Sequence, residues 1–231
     1  LVAGVNNMPA KRRSVVISGA GDRRDEDIRE QTRILGAAFD SVILYQDACQ
    51  RGRADGEVLA LLHQGLEGAM RTRQVEEIHG EFIAIDLEKQ EIAWTMATGK
   101  QPAGIWMTPD DRHLLIGITG ESHLEIYDWR ARKLVKRILT GLGAHNFVAK
   151  GDGRHVFLSN RMANTISLVD QQALEVKETF PVPGGPDCME ITKDGRQLWT
   201  TSRWIRMVTV VDLETKKVLH QLPVGKSPHG L

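Results

Sequence analysis

From Ile85 onward the chain repeats itself every 42 residues. The pairs Ile85-Asp86, Tyr127-Asp128, Val169-Asp170 and Val211-Asp212 close β-rich runs at that step. Pro102, Ala144, Pro186 and Pro228 keep the same register, as do Asp110, Asp152 and Asp194. A step of about 40 to 45 residues carrying several short strands per unit is the signature of propeller blades rather than of a helical solenoid. The unit 144–185 reads as four strands, over 146–149, 155–159, 165–170 and 175–182. The tripeptides around Asp110, Asp152 and Asp194 predict hairpin turns. Gly153 and Gly195 supply the positive φ such a turn needs, and Asp111 must manage it with an Asx side chain. Asp86, Asp128, Asp170 and Asp212 end the third strand of each unit and are expected to fix the following turn through their carboxylates. A site normally uses unique residues, so aspartates recurring in every blade read as structural.

The fold class predicted for the whole chain is an α/β N-terminal piece over residues 1–80, followed by an all-β partial propeller over 81–231. Three complete blades fit the second part, with two strands before Pro102 and the start of a further one after Pro228. Unless four blades close the ring, the arc leaves unpaired edges that favour self-association. Formal net charge is zero, which argues against a dedicated partner in nucleic acid or an anionic membrane. No apolar run reaches the roughly 18 residues of a membrane span. Cys49 and Cys188, one in each half, make no disulfide framework. The opening Leu-Val-Ala-Gly-Val is too short for the apolar part of a signal peptide, and the chain reads as a fragment.

Before the repeat, 14–18 is a β-branched strand ending at a glycine-rich turn, and 25–39 carries apolar residues at helical spacing behind Asp25, Glu26 and Asp27, which complement a helix dipole. A strand over 41–45, a polar loop over 46–56, a helix over 57–70 and a short strand over 75–78 follow. Such alternation predicts a parallel α/β layer.

The run Gly21-Asp22-Arg23-Arg24-Asp25-Glu26-Asp27, then Val42-Ile43-Leu44-Tyr45-Gln46-Asp47, then Arg51-Gly52-Arg53-Ala54-Asp55-Gly56, resembles the C-terminal, Mur-ligase-type domain of the cyanophycin synthetase family. The resemblance covers about residues 7–86 and implies a Rossmann-like layer from an ATP-dependent ligase that forms amide bonds on an arginine and aspartate polymer. By that likeness Asp22, Arg23 and Arg24 face the nucleotide domain, and Asp47, Arg51 and Arg53 lie in the substrate-contacting loop. ATP and magnesium would be its cofactors if a central domain is supplied. Arginines at the carboxyl edge of such a sheet are able to clamp carboxylate or phosphate bidentately. The plainer alternative is a solvated Arg/Asp cluster at a helix start. No G-x-x-x-x-G-K-[ST] loop occurs in the 231 residues: Gly225-Lys226-Ser227 has His220 where the first glycine would stand. The piece alone is therefore expected not to turn over ATP.

Gly99-Lys100-Gln101-Pro102, Thr192-Lys193-Asp194-Gly195-Arg196 and the strand-plus-Asp endings make residues 82–231 similar to the YVTN-type β-propeller repeat family. That resemblance implies a secreted or periplasmic binding propeller, some relatives holding a haem, whereas the N-terminal resemblance implies the cytoplasm. Ala103, His145, Asp187 and His229 share one register in the innermost strand and are expected to ring one mouth of the central channel. His145, Asp187 and His229 form a candidate set for a transition metal, or for a cofactor carboxylate through protonated histidine. The alternative is a set of unrelated rim residues bonded to backbone or water. Trp94, Trp106, Trp129, Trp199 and Trp204 are expected to fill the wedges between blades, and Cys188 to be buried and inert. Two functions compete: a small-molecule- or protein-binding propeller carrying a non-catalytic ligase-derived piece, and part of a cyanophycin synthetase-like ligase.

Overall fold

The computed structural model describes residue 2 and residues 9–19, 21, 23–46, 52–79, 82–86, 89 and 91–230. Two units emerge from the contacts, residues 1–97 and 98–231.

In the first unit, strand β1 (Ser14–Ser18), helix α1 (Asp25–Gly36), strand β2 (Ser41–Gln46), helix α2 (Glu57–Leu66) and strand β3 (Gln74–His79) alternate along the chain. The strands pair in parallel in the order β1-β2-β3. The middle strand reads as a continuous apolar run because both its faces are covered, and Val42, Ile43 and Leu44 are buried. Ile28 and Leu35 of α1 and Val58, Leu59, Leu61 and Leu62 of α2 join Ile17, Val42 and Leu44 in one core. Helix α1 ends at Gly36, three residues before the expected 39, because the Thr72 hydroxyl takes the Gly36 and Phe39 carbonyls at 3.0 and 3.1 Å. Helix α2 stops at Leu66 rather than 70, where Glu67 swings to ψ 123°. Asp40 fastens the strand starts. It accepts the Arg13 amide at 2.8 Å and both arms of Arg71 at 3.1 Å, and these donors hold its carboxyl below the usual range. Strands β4 (Phe82–Asp86) and β5 (Glu91–Met96) form an antiparallel pair in this unit.

Three four-stranded antiparallel sheets make up the second unit. They are β6 (Pro102–Met107), β7 (His113–Ile118), β8 (His123–Asp128) and β9 (Lys133–Leu139); β10 (Ala144–Ala149), β11 (His155–Asn160), β12 (Thr165–Asp170) and β13 (Glu175–Pro181); and β14 (Pro186–Ile191), β15 (Gln197–Ser202), β16 (Met207–Asp212) and β17 (Val218–Pro223). Within each sheet the strands follow chain order, and β10 lies beside both β6 and β14. Residues 224–230 carry no strand, so the further strand expected after Pro228 is not formed among the described residues.

The period written in the sequence is a period of backbone chemistry. Asp128 accepts the amide of Ala131 at 2.7 Å, Asp170 that of Ala173 at 3.0 Å and Asp212 that of Thr215 at 2.6 Å. Asp86 does the same for Lys89 at 2.9 Å. Asp111, Gly153 and Gly195 have φ of 55°, 69° and 71°, so all three hairpin turns take the left-handed residue where it was expected. Gln101, Gly143, Gly185 and Ser227 form a second left-handed series at the same step, with φ of 57°, 84°, 69° and 52°.

The middle sheet buries both faces. Val156, Leu158 and Val169 pack on Leu115, Leu124 and Ile126 of the preceding sheet, while Phe157, Ile166, Leu168 and Phe180 meet Met189, Leu198 and Val211 of the following one. Of the tryptophans, Trp106 bridges sheets: its ring lies 6.4 Å from Phe147 and its Nε1 donates to Gln171 at 2.6 Å. Trp129 and Trp204 do not have the packing role expected of them. The first stacks under Arg130 at a turn, with the guanidinium 4.3 Å from its ring, and the second is half exposed.

Candidate functional site

The innermost strand of each sheet breaks register at one place. The ladder is interrupted between Pro102 and Ile105 in β6, between Ala144 and Phe147 in β10, and between Pro186 and Met189 in β14. The residues thrown out of the ladder are Ala103-Gly104, His145-Asn146 and Asp187-Cys188. A bulge frees its residues from pairing and re-aims their side chains, which is why bulges gather next to binding sites. The hydroxyls of the second strand satisfy the freed amides: Asn146 N donates to Ser159 Oγ at 3.1 Å and Cys188 N to Thr201 Oγ1 at 3.2 Å. Ser159 and Thr201 are themselves one 42-residue step apart.

Asp187 is the centre of what the bulges collect. It is fully buried, and its Oδ1 lies 2.9 Å from His145 Nδ1 in an ion-pair contact that is not a hydrogen bond. Arg203 reaches Oδ2 at 3.4 Å and Arg161 at 3.9 Å, both longer than the usual 2.7–2.9 Å of a charge-assisted bond. Burial pushes the Asp187 carboxyl up, but the His145 contact and the positive charge of Arg161 and His229 outweigh it and hold it below the ordinary carboxylate range. Cys188 Sγ lies 3.9 Å from His229 Nε2 and accepts from Asn146 Nδ2 at 3.4 Å. Cys188 is therefore half-buried and in the site, against the expectation of a buried inert thiol. His229 is exposed, and its segment is tied back by Arg203 Nε donating to Ser227 Oγ at 2.7 Å.

Two other fully buried carboxylates in this unit are differently provided for. Glu125 accepts from Tyr127, Gly99 N and Arg137 at 2.6, 2.9 and 2.8 Å, and these donors hold it low against the upward push of burial. Asp170 takes Arg154 on one oxygen and two turn amides on the other, which depresses its carboxyl strongly. Asp187 Oδ1 alone of these carboxylate oxygens lacks a hydrogen bond. That costs free energy unless something else coordinates the oxygen.

The structure sets His145 Nδ1 2.9 Å from Asp187 Oδ1, while the atoms that come within 4.8 Å of one another belong to Asp187, Cys188 and His229. Ala103, from the same register, contributes no functional group. Arg161 and Arg203, also one 42-residue step apart just after the second strand, escaped the sequence reading, with Thr119 in the preceding blade at that place. The repeat alone would have found them.

In the first unit, Asp22, Asp47 and Arg51 lie outside the described residues, as does Cys49. Arg53 directs its guanidinium inward, to the Gly21 and Arg23 carbonyls at 2.8 and 2.7 Å and to Asp25 and Glu57 at 2.7 and 2.5 Å, so it pins the 21–25 loop to the start of α2. Arg24 pairs with Asp27 at 2.8 Å on the surface. Arg23 is exposed beside a hollow of about 370 Å³ shared with Ser18, Asp27, Ile28 and Gln31. Among the described residues no helix is long and apolar enough to cross a membrane.

Successive four-stranded blades, with their innermost strands side by side and polar bulge residues at one register, define a β-propeller. A family model described as YNCE-like beta-propeller matches residues 70–231, and the chain belongs to that family. Among solved structures it is similar to Kuenenia stuttgartiensis hydrazine synthase, with a TM-score of 0.54 and 21% identity over 62% of this chain and 43% of that one. It is similar also to the dihydro-heme d1 dehydrogenase NirN in complex with DHE, with a TM-score of 0.51 and 20% identity over 63% of this chain and 33% of that one. Likeness at that identity shows the fold alone. A further 84 residues' worth of similarity, at 34% identity, is to the cyanophycin synthetase of Trichormus variabilis, covering 36% of this chain and 9% of that protein. The cyanophycin synthetase of Synechocystis is 35% identical over 71 residues, 31% of this chain and 8% of the relative. The matched stretch thus spans under a tenth of the length of these relatives.

Proposed function

We propose that the chain is a binding propeller, without catalytic activity of its own, that takes a small carboxylate-bearing molecule at the bulge end of its inner strands. In this reading residues 1–80 are a Rossmann-like piece akin to the substrate-side, Mur-ligase-type domain of cyanophycin synthetases, and residues 81–231 are the partial propeller. The observation that carries the binding role is the company kept by Asp187. One buried carboxylate is faced by two guanidiniums at 3.4 and 3.9 Å and by the His145 imidazole at 2.9 Å, and guanidiniums gathered in this way suit a bidentate anion. Succinate titrated into the chain by calorimetry should give saturable heat, and the double variant Arg161→Ala/Arg203→Ala should weaken binding at least about tenfold, the size of one lost charge-assisted interaction. No heat with the unaltered chain, or equal affinity in the variant, sinks the reading.

The similarity to cyanophycin synthetases favours a second reading, in which the chain is a part of such a ligase. The residues present do not fit ATP, because no phosphate-cradling loop occurs among them. With ATP, magnesium, aspartate, arginine and a polymer primer, the purified chain should release no phosphate above buffer. Measurable turnover would refute the non-catalytic assignment and favour the ligase.

A further inference from the structure

We propose that Asp187, Cys188 and His229 form a three-residue site for a zinc-class divalent metal, with Arg161 and Arg203 beside it on the other oxygen of Asp187. This rests on the binding reading above and names what completes that site.

Each of the three offers one ligand atom, and these atoms lie within 4.8 Å of one another. Cys188 Sγ and His229 Nε2 are 3.9 Å apart. A tetrahedral ion with bonds of about 2.3 Å to sulfur and about 2.1 Å to nitrogen requires about 3.6 Å between those atoms, so a small inward movement closes the pair on a metal. One carboxylate oxygen, one thiol sulfur and one imidazole nitrogen suit zinc or cobalt. A hard ion such as magnesium or calcium would want oxygen throughout.

The independent observation is Asp187 Oδ1. It is buried, it belongs to a fully buried carboxylate, and it makes no hydrogen bond, while Oδ2 is turned to Arg203. Glu125 and Asp170, equally buried, have both oxygens satisfied by protein donors. His145 Nδ1 stands 2.9 Å from this oxygen without a hydrogen bond to it, so its coordination is incomplete, and a metal ion would complete it.

The surroundings are those of ligands held for a metal. The β14 bulge between Pro186 and Met189 places Asp187 and Cys188 consecutively outside the ladder, and Thr201 anchors the Cys188 amide. Asn146 Nδ2 donates to Cys188 Sγ at 3.4 Å, a bond that favours thiolate over thiol. His145, expected from its register to be a ligand, instead sits with Nδ1 2.9 Å from Asp187 Oδ1, beside the carboxylate and outside the group formed by Asp187, Cys188 and His229. Three protein ligands leave a fourth position for water or for an oxygen of the bound carboxylate.

The test uses the full, untagged chain, stripped with a chelator and titrated with cobalt(II). Binding at one equivalent should bring the intense visible bands of a tetrahedral ion and a near-ultraviolet thiolate-to-cobalt band. Cys188→Ser should abolish the thiolate band, while Cys49→Ser leaves it. Asp187→Asn and His229→Ala should weaken cobalt binding by more than about 100-fold, and Asn146→Ala by about 10-fold, the range of an outer-shell partner. Absence of a thiolate band in the unaltered chain, or its survival in Cys188→Ser, overturns the proposal. Should Asp187→Asn fail to fold, Cys188→Ser and the exposed His229→Ala still decide it. Succinate heat measured on the metal-free chain separates the two ideas. If it persists without any cobalt band, the metal falls and the binding site stands; a cobalt band without succinate binding is the reverse.

Discussion

Phe157→Ala should destabilise the second unit by about 3–5 kcal/mol, the range for removing a fully buried phenylalanine. The ring is inaccessible to solvent and lies between two sheets, not inside one. On its own sheet it touches the cluster of Ile166, Leu168, Phe180 and Val182, with the Phe180 ring edge-on at 6.2 Å and 80°. Across the gap it shares that cluster with Met189, Leu198 and Val211 of the following sheet. Two stiff sheets cannot collapse into the hole, so the cavity term adds nearly in full to the lost transfer free energy. Urea unfolding followed by tryptophan fluorescence reads mainly this unit, because four of the five tryptophans, Trp106, Trp129, Trp199 and Trp204, lie in it and Trp94 alone lies in the first. Val135→Ala, on an exposed position of β9, is the control and should cost within about 0.5 kcal/mol. Equal midpoints for the two variants would mean that successive sheets do not pack face to face.

What the sequence disclosed and what it withheld divide along a physical line. Turn chemistry is local. An aspartate that bonds an amide three residues on, or a position that must take positive φ, leaves its mark at a fixed place in every repeat, and 86, 128, 170, 212 and 111, 153, 195 were all readable. Strand β12 was placed to the residue for the same reason, since Asp170 closes it. Cys188 was misjudged because strand alternation assumes an unbroken ladder. One extra residue in β14 shifts every side chain beyond it to the other face, and nothing in Pro186-Asp187-Cys188-Met189 announces the extra residue. Trp129 was misjudged because it follows the strand-ending Asp128 and so belongs to the turn, where Asp111 O accepts its indole N–H at 3.1 Å. The gathering of Asp187 with Arg161 and Arg203 needed three dimensions: the repeat gives the register of each arginine but not the distance between neighbouring blades.

That distance is set at Gly104, and Gly104→Val is expected to cost about 3 kcal/mol, the upper end of overpacking. A Cβ at this position would stand 2.0 Å from the His145 carbonyl oxygen and 3.1 Å from the Asn146 Cα. These are backbone atoms, so no side chain can swing away. The other inner strands carry Asn146 and Cys188 at the equivalent place, which identifies the glycine as an adaptation to the approach of β6 to the bulged β10 and not as a demand of the repeat. Pushing β10 off moves His145, and with it the imidazole 2.9 Å from Asp187 Oδ1, so the variant should lose stability and at least about tenfold in succinate affinity together. Gly153→Ala separates the two effects. With φ of 69° and nothing near its Cβ, it should cost about 1 kcal/mol of left-handed strain and leave the affinity unchanged. A Gly104→Val chain as stable as the unaltered one would place the inner strands farther apart than the site requires. His145 would then have no fixed position against Asp187, and the bulges would be features of each sheet separately rather than walls of a shared site.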